Sequence, residues 1–369
     1  MAFLRCPQCS LKCGTHFIPY DILRHLRMGF RKLEYSQSRS LLKKYLTEEM
    51  LEYLKFRRTR NDVNLYDCIK CGLQYHDVEI GIYACDPDSY FVFSPIFFPI
   101  LEEIHQFGET NVHPKSAWLP INSVANLDSR RKFIKLTRIR ITRNLKGYLF
   151  CSQMSQKQFE MVQEYLEMIL ALMTGDFDGT YEKIIDMTEE RKRELKLKHF
   201  IFDNNDKILA TAGVFRHWPY GRGVFINSSE NFSVWVNPHD HVKVISVEHG
   251  GNLRRVYERA MNGLRKLSRD LNFIMSKRMG YVTVCPADMG TGLKVSMHLH
   301  LPYLGKKQKT LEIQAEEMNI YIKKVPQEED LFEICNKKRM GITEIECVKV
   351  LEHAAVSLMA MEEAGANTP

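Results

Sequence analysis

The chain reads as an α+β protein in which a β-sheet is packed with long helices, and three observations carry that reading. β-branched and aromatic runs recur at Phe133 to Ile141, Lys207 to Val214, Phe232 to Val236, Val242 to Val247, Tyr281 to Cys285 and Lys294 to Leu301, the composition of strands. Between them, apolar residues recur at helical spacing over Gln158 to Met173, Leu253 to Leu267 and Thr343 to Glu362. The 369 residues, 44% of them hydrophobic, suffice for two domains and a large core. Strands mixed with long helices favour a helix-covered sheet over a sandwich.

From the N-terminus, residues 1–36 carry a cluster of cysteine and histidine. From Leu41 through Met50, Leu51 and Leu54, apolar residues at three- and four-residue steps predict an amphipathic helix. Pro114 and Pro120, with several small polar residues between Pro114 and Asn126, predict a linker. The resulting division is 1–36, 37–113, a linker at 114–127, and 128–369. No internal repeat or low-complexity tract interrupts it.

The longest apolar stretch, Tyr90 to Leu101, is broken by Pro95 and Pro99 and falls short of the ~20 residues of a spanning helix. No basic region followed by an apolar run marks a secretory signal after Met1. The expectation is an intracellular protein, cytoplasmic or nuclear, whose ten cysteines are thiols or metal ligands and not disulfides. The net charge of +7 is unevenly placed. Residues 1–60 hold thirteen Lys/Arg against five Asp/Glu, and the remainder is nearly balanced. Such a segment is either a solvated face or a contact surface for nucleic acid or acidic protein.

Cys6-Pro7-Gln8-Cys9 is a knuckle that can place two thiolates on one zinc ion, and Cys13, His16 and His25 follow closely. The expected site is Cys6, Cys9 and His25 with Cys13 or His16 as the fourth ligand; the alternative is a set of reduced, packed thiols. Phe17 to His25 reads as a turn into a helix with His25 on its inner face. Cys71 is a further candidate ligand. Phe17, Tyr20 and Phe30 lie among the basic residues, where they would either stack on unpaired bases or form the core of the segment.

Val234-Trp235-Val236-Asn237-Pro238-His239-Asp240-His241-Val242-Lys243, read with the segment from Val284-Cys285-Pro286 through Gly290-Thr291-Gly292 to Lys294, resembles the active-site strands of the phosphagen (guanidino) kinases, arginine kinases above all. Further matches run from about residue 40 to 363: Thr137-Arg138-Ile139-Arg140, Arg216-His217-Trp218-Pro219, Gly250-Gly251 and Asn336-Lys337-Lys338-Arg339-Met340-Gly341. The resemblance implies a small all-helical N-terminal domain and a larger antiparallel-sheet domain flanked by helices, the phosphagen kinase and glutamine synthetase-like fold. It also implies MgATP bound by a cage of arginines, and a guanidino substrate clamped by acidic residues, a cysteine and a loop of the small domain.

Against that pattern, Arg138 and Arg140 stand at the Arg-x-Arg pair and His199 at a histidine that packs on the nucleotide. Lys243, Lys294 and Lys323 stand where three phosphate-binding arginines are expected, keeping charge but losing the bidentate fork. Pro238 and His239 replace the two carboxylates of the acceptor clamp, leaving Asp240; Cys285 keeps the reactive-cysteine position. Val78-Glu79-Ile80 replaces small residues of the specificity loop, and Lys323 to Asp330 is a shortened lid with no glycine.

These changes together lead to the expectation of a catalytically inactive homologue, in which Cys285, His239 and Asp240 are remnants. Such a pseudokinase would serve as a scaffold, contacting a protein or, through residues 1–60, an RNA, as a monomer or homodimer. Two rivals stand beside it: an active ATP:guanidino phosphotransferase with an unusual acceptor such as protein arginine, and a nucleic-acid-binding protein.

Overall fold

The alternation of apolar and polar residues from Ile134 to Arg143 builds the centre of an eight-stranded antiparallel sheet in the computed structural model, which describes residues 17–116, 126–201 and 206–366. The chain divides into two units, up to Ile100 and from Leu101.

The first unit is helical: α1 (Tyr20–Tyr35), α2 (Leu41–Tyr45), α3 (Glu48–Leu54), α4 (Leu65–Gln74), α5 (Ser89–Val92) and α6 (Ser94–His105), the last running past the division. The helix expected across Leu41 to Leu54 is two helices, because the Thr47 side chain accepts from the Met50 N–H and caps a new start. A reciprocal capping box between Asn64 and Asp67 opens α4. Helix α1 buries Leu26, Phe30 and Leu33 and packs on α4, where Gly29 lets Leu73 approach. His25 is exposed and stacks on Tyr66 at 5.8 Å, so it does not take the inward position read from the sequence. Phe17 and Tyr20 are likewise exposed, leaving Phe30 as the one of the three aromatics that is buried.

The second unit runs β1 (Ile134–Arg143), α7 (Gln156–Leu170), β2 (Gly179–Lys183), α8 (Glu189–Leu197), α9 (Lys207–Thr211), β3 (Gly223–Asn227), β4 (Phe232–Val236), β5 (Val242–His249) and α10 (Leu253–Leu267). It continues with β6 (Met275–Ser276), β7 (Gly280–Tyr281), β8 (Leu293–His300), α11 (Gln308–Glu317), β9 (Ile320–Lys324), β10 (Leu331–Asn336) and α12 (Glu344–Ala366). The large sheet has the order β2-β3-β4-β5-β1-β8-β10-β9, every pair antiparallel; β6 and β7 form a separate two-stranded ribbon. The strand expected at Lys207 to Val214 is instead α9. The Asp206 carboxylate accepts from the Ile208 and Leu209 N–H groups and starts a helix there.

Period-two alternation gives the sheet two unlike faces. Ile139, Ile141, Val244, Phe232, Val295, Met297 and Ile334 point into one core with α7, α10 and α12. The opposite face is apolar at Trp235, Ile245 and Val247, which cluster with Leu195 and Phe200, and polar from β5 to β9.

Gly263 of α10 lies where any Cβ would run into the Phe232 ring. Ala is ordinarily favoured over Gly in a helix by about 1 kcal/mol, whereas overpacking a core costs about 1–3 kcal/mol. Gly263→Ala is therefore expected to lower the urea midpoint; a raised midpoint would refute this packing.

Candidate active site

Adjacent strands stack cations on the polar face of the sheet. In register, Arg140 of β1 lies opposite Lys294 of β8 and Ile245 of β5, and Arg138 lies opposite Ser296; Lys243 is two residues before Ile245 on β5. Glu333 of β10 is opposite His298 on one side and Lys323 on the other. Arg138, Arg140, Lys243, Lys294 and Lys323 thus share one face, with Lys323 exposed and the other four more enclosed.

One carboxylate is held among these cations. Glu333 Oε1 accepts from Arg138 at 2.7 Å and from Arg140 at 3.2 Å. Burial opposes ionisation of Glu333, but Arg140, Arg138 and Lys294 more than offset it and hold the acid down at about 2. The cations remain in excess. Burial, then Arg138, lowers Arg140 to about 9; burial, then Arg140, lowers Lys294 to about 8. Burial also lowers Lys243, with Asp288 opposing and Arg140 reinforcing the shift. Ser296 Oγ on the same face is buried and has no hydrogen-bond partner among the described residues. A bound polyanion would relieve each of these costs, so the face fits the phosphates of a nucleotide.

His199 stands at the border of this face in a left-handed backbone conformation (φ 61°), edge-on to His298 with ring centroids 5.5 Å apart. Burial and Arg138 hold both imidazoles down at about 4, so both are neutral near pH 7.

The turn between β4 and β5 carries His239 and Asp240. Asn237 adopts φ 53°, its N–H donates to His241 O at 2.9 Å, and its side-chain amide donates to Gly221 O at 2.7 Å, which fixes the reversal. Asp240 is buried and accepts from Asn144 Nδ2 at 2.6 Å and from the Val284 N–H at 2.8 Å, tying this turn to the segment that leads into Cys285. Burial raises its carboxyl to about 6. His239 packs near Phe215, ring centroids 5.8 Å apart, and burial with Lys243 holds it down at about 3. The resting form of His239 is therefore the neutral imidazole. At Cys285, burial, then Asp288, pushes the thiol up to about 12, so the resting side chain is the thiol and not the thiolate.

After Cys285 a single 3-10 turn, Pro286–Asp288, leads to Gly290 and Gly292, both at positive φ and both without room for a Cβ. That turn presents Asp288, which is ion-paired to Arg339, itself donating to Ala287 O at 2.7 Å. Burial opposes the charge on Asp288, yet Arg339, Lys243, Lys294 and His239 lower its pKa and keep it ionised. Glu333, Asp288, His298 and Arg339 are the site residues that sequence reasoning passed over. Asp288 was visible as a carboxylate three residues after Cys285. Glu333 carried no local signal, since its partners are almost 200 positions away.

Two other sequence-derived features take definite form. Of the segment Lys323 to Asp330, Lys323 and Lys324 end β9 and the remainder is a short connection to β10, closed by Val325 N–H donating to Leu331 O at 2.8 Å. In the helical unit Val78 is buried and Glu79 exposed, with Glu79 O and Ile80 O accepting from the N–H groups of Leu41 and Leu42.

Of the expected zinc ligands, Cys6, Cys9, Cys13 and His16 lie outside the described residues, His25 stacks on Tyr66, and Cys71 is buried with its Sγ 3.7 Å from Gly81 O. Among the described residues no group of three or more His, Cys, Asp or Glu gathers to hold a metal ion, and no helix is long and apolar enough to cross a membrane. Several basic residues proposed as an RNA surface are engaged internally. Lys55 pairs with Glu52, Arg57 lies over Tyr53, Arg58 pairs with Asp62, and Arg60 pairs with Asp88.

Comparison with known proteins agrees with the fold and corrects the function. Residues 36–102 match the profile of the ATP:guanido phosphotransferase N-terminal domain, and residues 160–365 that of its C-terminal catalytic domain. The arginine kinase of Limulus polyphemus is 36% identical over 93% of this chain and 98% of its own length; that of Schistocerca americana is 35% identical over 92% and 98%. Among solved structures, the substrate-free duplicated taurocyamine kinase from Schistosoma mansoni superposes with a TM-score of 0.85 at 28% identity, covering 91% of this chain and about half (49%) of that one. A lombricine kinase superposes with a TM-score of 0.80 at 28% identity, covering 89% and 93%.

Relatives spanning nearly the whole chain are thus named as kinases, which overturns the expectation of an inactive scaffold and of a non-enzyme. The zinc-finger and RNA-binding readings are set aside with it, as neither profile describes such a module and no metal-holding group is found among the described residues. The chain belongs to the phosphagen kinase family, the ATP:guanido phosphotransferases.

Proposed function

We propose that this protein is an ATP:guanidino phosphotransferase, moving the γ-phosphoryl group of MgATP to the nitrogen of a guanidino acceptor of the arginine, taurocyamine or lombricine kind. The observation that carries the reading is the gathering of Arg138, Arg140, Lys243, Lys294 and Lys323 on one sheet face, with Arg140 and Lys294 held below their ordinary pKa values by burial and then by the neighbouring arginine. Arg138, Arg140, Lys243, Lys294 and Lys323 would grip the phosphates, and His199 with His298 would border the nucleoside. Magnesium, carried in on the nucleotide, would neutralise charge on the phosphate oxygens.

Phosphoryl transfer asks the protein for alignment and charge neutralisation more than for covalent chemistry. Rigid strands supply the alignment: Arg138 and Arg140 are locked by Glu333, and their backbones by ladders on both sides. Lysine at three positions gives point charges where a guanidinium would grip two oxygens, so the exchange costs geometry and not charge.

A coupled assay with MgATP and a panel of arginine, taurocyamine, lombricine and creatine is expected to show turnover with at least one. Lys294→Met should lower kcat/KM by about a hundredfold, the usual scale for removing one group that stabilises developing charge. Absence of turnover with the whole panel and with peptidyl arginine would overturn the assignment.

The pH dependence follows from Lys294, which faces Arg140, Arg339, Glu333 and Cys335. Its pKa is lowered to about 8 in the free protein, and an anion binds the protonated form. Affinity for MgATP is therefore full below pH 8 and falls as pH rises above it. The KM for MgATP should climb between pH 8 and 9.5, and Lys294→Arg should move the onset of that climb to higher pH, leaving the part that belongs to Arg140, which is lowered to about 9. A KM that stays flat through this range in the native protein would contradict it.

A further inference from the structure

A guanidino group is a planar cation, and holding it beside a bank of lysines and arginines requires a carboxylate that faces the same space. Three carboxylates border the site. Asp240 is buried and spent on Asn144 and the Val284 N–H, a hinge between two turns. Glu333 is spent on Arg138 and Arg140. Asp288 is ionised and as exposed as Glu333, at 25%, but its ion pair is with Arg339 alone, outside the Arg138 and Arg140 pair, and it lies near Lys243, Lys294 and His239 on the turn that follows Cys285.

The fixed geometry adds to this. The Asp240 hydrogen bond to the Val284 N–H draws the His239 turn against the Cys285 to Asp288 turn. Arg339 grips Asp288 and Ala287 O together, so the carboxylate is held by its own backbone neighbourhood and does not swing. His239, backed by Phe215, offers an unprotonated ring nitrogen on the same border.

We propose that Asp288 is the carboxylate that holds the guanidino acceptor and His239 the base that takes its proton. The acceptor subsite is then rebuilt on the Cys285 to Asp288 turn, opposite the Pro238-His239 pair. This rests on the phosphotransferase reading above. In the transfer, a guanidino nitrogen forms a bond to the γ-phosphorus while the bond from that phosphorus to the β-γ bridging oxygen breaks, and ADP leaves with the electron pair. The proton shed by the nitrogen passes to the lone pair of His239, and the resulting imidazolium faces Asp288. Before nucleotide arrives, the nearby charges of Lys243 and Lys294 oppose entry of a second cation beside Asp288. Polyphosphate neutralises those lysines, so binding of the two substrates is mutually reinforcing.

The test is steady-state kinetics of the full-length protein with its best acceptor. Asp288→Asn, which keeps a hydrogen-bond acceptor for Arg339, should raise the acceptor KM at least tenfold and leave the MgATP KM unchanged or lower. Asp288→Glu should retain most acceptor affinity, and adding His239→Glu to Asp288→Asn should recover part of it. His239→Gln should lower kcat about a hundredfold, the scale of general-base loss, with little change in either KM. Thermal melts of each variant separate folding defects from site defects. An active native protein whose acceptor KM is untouched by Asp288→Asn overturns this inference alone, as does a variant whose MgATP KM rises in step with the acceptor KM. A native protein with no turnover removes the phosphotransferase reading and this inference together.

Discussion

Strand β1 must serve two environments at once, and the period of two along an extended chain is what allows it. Ile139 and Ile141 enter the core shared with α7, α10 and α12, while Arg138 and Arg140 project from the other face. A one-residue slip would bury two guanidinium groups among aliphatic side chains, a cost far above the few kcal/mol by which a domain is stable. The core therefore fixes the register, and the register in turn places Lys294 opposite Arg140 and Ser296 opposite Arg138.

Such a face is costly until it meets an anion. Glu333 offsets part of the repulsion, and its own depressed pKa measures how strongly the arginines hold it. Asp288 offsets another part beside Lys243 and Lys294. What remains is a deficit of negative charge in a partly desolvated setting, where each added phosphate oxygen is worth more than in water. Lysine in place of arginine leaves this field intact, which is why the substitutions at 243, 294 and 323 are weak grounds for inactivity.

Much of the sheet domain was legible in the sequence. Leu253 to Leu267 and Phe232 to Val236 read at their true bounds because their periodicity is clean and Gly250-Gly251 and Asn237 punctuate the ends. Strands β2, β3, β9 and β10 were passed over, being short and lacking clean alternation; Gly223 to Asn227 is buried at every position. Lys207 to Val214 misled because β-propensity was weighed without the capping power of Asp206. In the site, the cations were visible as motifs, whereas Glu333, which balances the two arginines, was not. Glu333 meets Arg138 only through the pairing of β10 with β8 and β8 with β1. Missing that balance made the substitutions look more damaging than the structure bears out.

The central claim is that the polar face of this sheet is a polyphosphate site, and calorimetric titration of MgADP into the full-length protein at pH 7 tests it most directly. The account predicts a single saturable site whose affinity weakens with salt, as expected for charge-driven binding, and falls at least tenfold in Arg140→Ala. No measurable binding at millimolar MgADP, or binding indifferent to both salt and Arg140→Ala, would contradict it.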